Sequence, residues 1–240
     1  MLRDHRAEEL TAASGQRLTA TPLIVVDSVS VTYGSTSVLS QVSLTVERGA
    51  SVAVVGPSGA GKSTLLHCLA GLVRPSSGTV DVDGTTISAL EEEKLTCWRR
   101  VNVGLVFQQP MLLADLSLAE NVSLPLLLSG RRQRDAQPMA RAALERVGLA
   151  QLAGRLPGEI SGGEAQRTAL ARAVAAQPAL LLCDEPTGSL DSDNAAVVAE
   201  LLLGSAAEHG TTLVVVTHDN SLASRFDRIV RLRDGHVVGS

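Results

Sequence analysis

The chain is poor in aromatic residues. Trp98, Tyr33, Phe107 and Phe226 make up 2% of its 240 residues, which leaves little material for the stacking platforms of single-strand nucleic-acid binders. It is also short of positive charge, with 21 lysines and arginines against 25 aspartates and glutamates and a net charge of −4. That balance argues against binding through a broad basic face, and no nucleic-acid partner is expected. Cysteine is scarce and odd in number. Cys68, Cys97 and Cys183 match no metal-ligand spacing and read as free thiols in a reducing compartment. No apolar run reaches the length that a bilayer crossing needs. The opening stretch MLRDHRAEELTAASGQRLTATP has no apolar segment and does not read as a secretory signal. A cytosolic protein is expected, with any membrane role borrowed from a partner.

Hydrophobic residues, by contrast, make up 45% of the chain, enough for one large domain or a core with an inserted lobe. Residues 1–22 are polar and rich in Ala, Thr and Ser, which predicts a flexible tail. One domain is expected over residues 23–240. LIVVDSVSVTY and VSLTVERG alternate like half-buried strands, with a turn near Gly34-Ser35. SVAVVG is a continuous β-branched run that suits a strand buried on both faces. KSTLLHCLAGL then reads as a helix and GTVDVDG as a short strand. From about Leu112 to Ala153 the pattern is mostly helical, interrupted by a polar hinge, SGRRQRDAQP. ALLLCDEP and TTLVVVTHD are buried-strand runs, and RIVRLRDGHVV is a terminal strand or hairpin. Strands alternating with helices predict an α/β fold with a parallel sheet, and residues from about 110 to 159 read as an inserted helical lobe.

Between the strand SVAVV and that first helix lies GPSGAGKS, Gly56 to Ser63, which fits the phosphate-loop pattern G-x-x-x-x-G-K-[ST] in full. Gly56, Gly59 and Gly61, spaced by Pro57, Ser58 and Ala60, let backbone N–H groups turn inward as an anion nest. The helix start adds its dipole. Lys62 supplies a point charge to the β- and γ-phosphates. The Ser63 hydroxyl can ligate Mg²⁺, and Thr64 can bond the α-phosphate. An NAD-type fingerprint fits less well, because it does not continue into Lys-Ser.

LLLCDEP ends an apolar strand in two acids. Asp184 is placed to hold Mg²⁺ through a water. Glu185, at the strand mouth, can deprotonate the attacking water as general base. ISGGEAQR, residues 160–167, looks like a second helix start built to receive an anion, yet it sets the carboxylate of Glu164 beside that position.

Taken in order, the motifs resemble those of the nucleotide-binding subunit of ABC (ATP-binding cassette) transporters. They are the phosphate loop, VFQQ, the signature ISGGEAQR, LLLCDEP, GSLD and VTHD, within matches running from about Tyr33 to Val238. The resemblance implies a P-loop NTPase (RecA-like) core, an antiparallel β-subdomain, an inserted α-helical subdomain, and ATP hydrolysis with Mg²⁺. It assigns Tyr33 to stacking on adenine and His218 to the γ-phosphate. Gln108, rather than Gln109, is assigned to Mg²⁺ and the attacking water, since the family places the glutamine directly after the aromatic, here Phe107. Ser161, Gly162 and Gly163, with Glu164 beside them, are assigned to ATP held in trans by a second copy packed head to tail, and Asp191 of GSLD to the same interface. His5, His67, His209 and His236 match nothing.

Three longer stretches, GLVFQQPMLLADLSLAENVSLPLLL, DEPTGSLDS and THDNSLASRFDRIVRLRDG, resemble the macrolide-efflux, lipoprotein-release and cell-division (MacB/LolD/FtsE) group. That resemblance implies a homodimer at the cytoplasmic face of the membrane, peripheral through an integral membrane permease with four transmembrane segments. An FtsE-like regulator of cell-wall hydrolysis, which transports nothing, is the alternative. Met111-Leu113 and Leu124-Leu128 either form a groove for the permease or pack the lobe internally. Many signatures in the family read Leu-Ser-Gly-Gly-Gln. Ile160 is a mild change of shape. Glu164 is favoured by the helix dipole and reads as a mark of the same group. Whether its side chain positions Arg167 or the partner's nucleotide is open at this point.

Overall fold

The computed structural model describes residues 22–239. The tail expected over residues 1–22 lies outside the described residues except for Pro22, which opens the first strand.

Strands β1 (Pro22–Tyr33) and β2 (Thr36–Glu47) pair antiparallel about the Gly34–Ser35 turn. Strand β3 (Ser51–Val55) leads into helix α1 (Lys62–Leu69). Strands β4 (Ser77–Val82) and β5 (Thr85–Thr86) return beside β1, giving an antiparallel sheet in the order β2-β1-β4-β5. Next come α2 (Glu92–Asn102), β6 (Val103–Val106), α3 (Leu118–Leu128), α4 (Gln133–Arg146) and α5 (Gly162–Val174). The chain ends through β7 (Leu180–Asp184), α6 (Ser192–His209), β8 (Thr212–Val216), the short α7 (Asn220–Ala223), β9 (Arg228–Arg233) and β10 (His236–Gly239). The second sheet runs β10-β9-β3-β8-β7-β6. All its neighbours pair parallel except the β9–β10 hairpin. The α/β fold with a parallel sheet read from the sequence is the fold observed, and it carries the antiparallel sheet that the resemblance implies.

The parallel sheet is buried on both faces, which is why its strands read as unbroken apolar runs. Strand β7 shows the division. Leu180 and Leu182 face one core, shared with α1 and the antiparallel sheet. Leu181 and Cys183 face the other, shared with α3, α4, α5 and α6. Burial pushes the Cys68 thiol up to about 12. Burial, and then the Asp184 charge, raises Cys183 further. Both are inert core residues, while Cys97 is exposed and all three are free thiols.

Two details differ from the sequence pattern. The stretch Met111–Leu116 is not helical, because α3 begins only after Ser117. There Ser117 Oγ accepts from the Glu120 N–H while the Glu120 carboxylate accepts from the Ser117 N–H, a reciprocal cap. The hinge expected over residues 129–138 is also shorter. Helix α4 starts at Gln133 and carries Pro138 inside it, where the ring gives up one backbone hydrogen bond without ending the helix. Among the described residues, no helix is long and apolar enough to cross a membrane.

Candidate functional site

The carboxyl ends of parallel strands are where such sheets gather ligands, and β3, β7 and β8 deliver the first cluster there. Beyond β3, the loop Gly56–Gly61 passes under the start of β2. Its glycines are required to different degrees. At Gly59, where φ is 79°, nothing lies within 4 Å of where a Cβ would sit. Only the left-handed backbone asks for glycine there, and the space above it is open. The neighbouring fold therefore does not crowd Gly59 as it crowds Gly61. A Cβ at Gly61, where φ is 96°, would lie 2.7 Å from both the Val38 carbonyl oxygen and the Leu39 side chain, so backbone angle and space both demand glycine. Helix α1 then begins without a side-chain cap and without an acid in its first turn. Its leading N–H groups therefore meet no competing side chain. Lys62 is buried, and its ammonium donates to the carbonyls of Gly56 (2.9 Å) and Pro57 (3.1 Å), which holds it against the loop. One residue on, the Ser63 hydroxyl donates to Asp184 Oδ1 at 3.0 Å.

Asp184 closes β7, and Glu185 follows with φ at 46°, a left-handed conformation that costs a non-glycine residue about 1–2 kcal/mol. The surroundings hold it there. Its N–H donates to the Val216 carbonyl at 2.9 Å, and its Oε2 lies 2.9 Å from His218 Nδ1. The side chain of Glu185 is only 16% exposed, against 70% for His218. The carboxylate is thus sheltered, with the imidazole at its solvent side. Gln108, just past β6, accepts from Ser189 Oγ through its carbonyl at 3.3 Å. Its side-chain nitrogen lies 3.2 Å from where a Cβ on Gly188 would sit. The glutamine therefore rests on the loop that follows Glu185.

A second cluster forms at the start of α5. Ser161 caps the helix. Its N–H and hydroxyl both donate to Glu164 Oε2, at 2.8 and 2.9 Å, and its Oγ accepts from the Glu164 N–H at 3.3 Å. These bonds, the backbone one first, hold the Glu164 carboxyl below its ordinary range. Glu164 therefore turns back onto Ser161 and completes the cap. Gly163 is required by close approach, since a Cβ there would sit 2.5 Å from Asn194 Oδ1. Asn194 in turn is bound by Asp191, which caps α6: Asp191 Oδ1 accepts from the Asn194 N–H (3.0 Å) and Oδ2 from its side-chain amide (2.8 Å). Asn194, which nothing in the sequence reading singled out, thus joins the signature to GSLD. Its place one turn behind a capping aspartate is the signal available in the sequence.

Further along α5, Gln166 is fully buried and donates to the Phe107 carbonyl at 2.9 Å. Its own Oε1 has no partner among the described residues, a loss of about 1–3 kcal/mol for a buried acceptor. No hydrogen bond among the described residues joins residues 161–164 to Lys62, Ser63, Asp184, Glu185 or His218. Tyr33 stands apart from both groups in hydrogen bonding, 54% exposed at the end of β1.

The first cluster suits a nucleotide and its cation. An uncapped helix start behind a glycine loop is a phosphate cradle. Ser63 and Asp184 offer two adjacent oxygen donors, and no group of three or more His, Cys, Asp or Glu among the described residues could hold a metal alone. Mg²⁺ is the cation such a sparse oxygen set fits, because it keeps several waters and shares phosphate oxygens.

The comparisons agree with this chemistry. A family model described as ABC transporter matches residues 39–188. The chain is 39% identical over 216 residues to the lipoprotein-releasing system ATP-binding protein LolD of Bacteroides fragilis, covering 90% of this chain and 100% of that protein. It is 47% identical over 201 residues to the uncharacterized ABC transporter ATP-binding protein YbbA of Escherichia coli, covering 84% and 88%. A solved dimeric post-hydrolysis state of the ATP-binding cassette MJ0796, bound to ADP and Pi, matches with a TM-score of 0.84 and 37% identity over 90% of this chain and 97% of that one. With the phosphate loop, the acid pair and the overall fold in agreement, this chain belongs to the ABC transporter family and is an ABC ATPase.

Proposed function

We propose that the chain is the ATP-hydrolysing subunit of a membrane complex, in which two copies close head to tail on two ATP molecules. The observation that carries this reading is the presence of two differently built helix starts that share no hydrogen bond. One chain then supplies the phosphate loop for its own nucleotide and the signature for its partner's. The dimeric state of the MJ0796 cassette supports a dimer.

In this reading Lys62, Thr64 and the N–H groups of the Gly56–Ser63 segment hold the phosphates, and Tyr33 stacks on adenine. At Gly59 no atom crowds the space where a side chain would sit. Ser63, Asp184 and Gln108 would hold Mg²⁺, which when bound neutralises phosphate charge. Glu185 takes the proton of the attacking water, which Gln108 orients. His218, bonded to Glu185, reaches the γ-phosphate from the exposed side. Ser161, Gly162 and Gly163 contact that phosphate from the other copy, and Asp191 lies along the same interface. Loss of the γ-phosphate link then lets the dimer open.

Residues 23–240 form one cassette in this reading, with a helical lobe over about 110–159. The LolD relative's name supports a machine of the lipoprotein-release type, acting at the cytoplasmic face on an integral permease. Met111, Leu113, Leu127 and Leu128 are exposed and available to that permease, whereas Leu126 is buried.

Mixing two inactive variants tests the composite site. Lys62→Ala spoils the phosphate loop and Ser161→Arg the signature. A mixed dimer keeps one intact composite site, so mixing should restore ATP hydrolysis that neither variant shows alone. No recovery on mixing, or full turnover by a strictly monomeric Ser161→Arg chain, removes the trans arrangement.

A further inference from the structure

Helix α5 carries more than the signature. Downstream of Ser161 it sends two side chains into the segment that bears Gln108. Gln166 donates to the Phe107 carbonyl at 2.9 Å. Arg172 donates through one guanidinium nitrogen to the Met111 carbonyl and through the other to the Pro110 carbonyl, both at 2.8 Å. The spacings match. Residues 166 and 172 lie ~9 Å apart along a helix axis at 1.5 Å per residue. Residues 107 and 110–111 can be at most roughly 10–14 Å apart, and the bends at Gln108 and Gln109 shorten that reach. The segment therefore runs beside α5, in the same direction, pinned at both ends, with Gln108 between the pins.

The Gln166 amide is not there for stability alone. It is fully buried, its oxygen is unpaired among the described residues, and an apolar side chain of similar volume would avoid that loss. What the amide adds is a fixed distance between α5 and the residue before Gln108. We propose that Gln166 and Arg172 are positioning residues, through which α5 sets the placement of Gln108. The helix touched by the partner's nucleotide at Ser161–Gly163 then places the glutamine that faces this chain's own nucleotide, so the two ATP sites of the dimer are mechanically linked. This rests on the composite-site reading above.

The test is a double-mutant cycle in the full chain, with kcat and KM for ATP, ATP affinity and thermal unfolding as readouts. Gln166→Leu should lower kcat at least tenfold, leave KM for ATP within about twofold, and leave the unfolding temperature unchanged or higher. In a Gln108→Ala background the same substitution should lower kcat no further. Normal turnover in Gln166→Leu, beside a defective Gln108→Ala, overturns the positioning role and leaves the site reading standing. An equal loss in both backgrounds also overturns it, because Gln166 would then act without Gln108. Normal turnover in Gln108→Ala overturns the role assigned to that glutamine, and the positioning role with it. Arg172→Lys keeps the charge but not the two-pronged donation. It is the second variant should Gln166→Leu not fold, and it should show the same split of kcat from KM, while wild-type kcat there overturns the clamp.

Discussion

The molecule has two helix starts next to glycines, and they are finished in opposite ways. The start of α1 has no side-chain cap and no acid in its first turn, and only Lys62 reaches back across the loop. The start of α5 is closed on itself by the reciprocal bonds of Ser161 and Glu164. The first is left open for an anion, with its donors aligned before a ligand arrives. At the second, the single hydroxyl proton of Ser161 is already given to Glu164, so a phosphate at the proposed trans site would have to compete for it. The difference teaches that a glycine-flanked helix start is not by itself a phosphate site. What matters is whether its donors are already in use.

Four experiments break or sharpen that comparison. The largest effect should come from Glu185→Gln, at the acid beside the first start. ATP should still bind, turnover should fall by ~10²–10⁴-fold, and size-exclusion chromatography with ATP should show a trapped dimer. Normal turnover would remove Glu185 as the base. Next, Lys62→Ala empties the open start of its charge and should weaken ATP binding by roughly 10- to 150-fold, the worth of a charged hydrogen bond to phosphate. Titration calorimetry on the monomer reads this, and Ser161→Arg in the same assay should bind ATP like the wild type.

Gly163→Ala should destabilise the closed start by about 1–3 kcal/mol through overpacking against Asn194, read by urea unfolding. Asn194→Ala in the same chain should recover most of that loss, and failure to recover would separate the signature from GSLD. The smallest effect belongs to Glu164→Gln. Hydrogen bonds from Ser161 depress the carboxyl of Glu164 from its ordinary value of 4.5. A depressed carboxyl stabilises the fold fully above its unfolded value and loses that contribution as pH falls through the folded one. The stability difference between wild type and variant should therefore be flat from neutral pH to about 4.5 and shrink below it, since the other carboxylates titrate in both chains. A difference constant down to pH 3 would show that the cap is not ionic.

Much of this was legible in the sequence, and the boundary is instructive. GPSGAGKS and LLLCDEP announce themselves because their chemistry is local: a loop, a helix start and a strand end. Even within that loop, residue type alone did not separate Gly59, which faces open space, from Gly61, which is wedged under β2. The strands were legible because burial on both faces leaves apolar runs. Helix limits were harder to read. Periodicity could not see that Asn121 would bind the carbonyls of Leu113, Leu116 and Ser117 and so hold that stretch in a turn before α3. Nor could it see that packing would carry α4 through Pro138. Asn194 left only its place behind a capping aspartate as a signal, while the hydrogen bonds of Gln166 and Arg172 were illegible for one reason. Each is a contact between segments far apart in the chain, and such contacts leave no trace in residue type. Glu164 lies between these cases, because Ser-x-x-Glu before a helix is a readable cap and only the signature context made it look like a flaw.

The left-handed backbone at Glu185 has a consequence for how this protein can change. Glycine would relax that position, so folding alone prefers a residue with no carboxylate there. A population of variants selected only for heat resistance would be drawn toward replacing the side chain that we propose activates water. A strand buried within the sheet thus leads into a residue that backbone strain disfavours and that the proposed chemistry would retain.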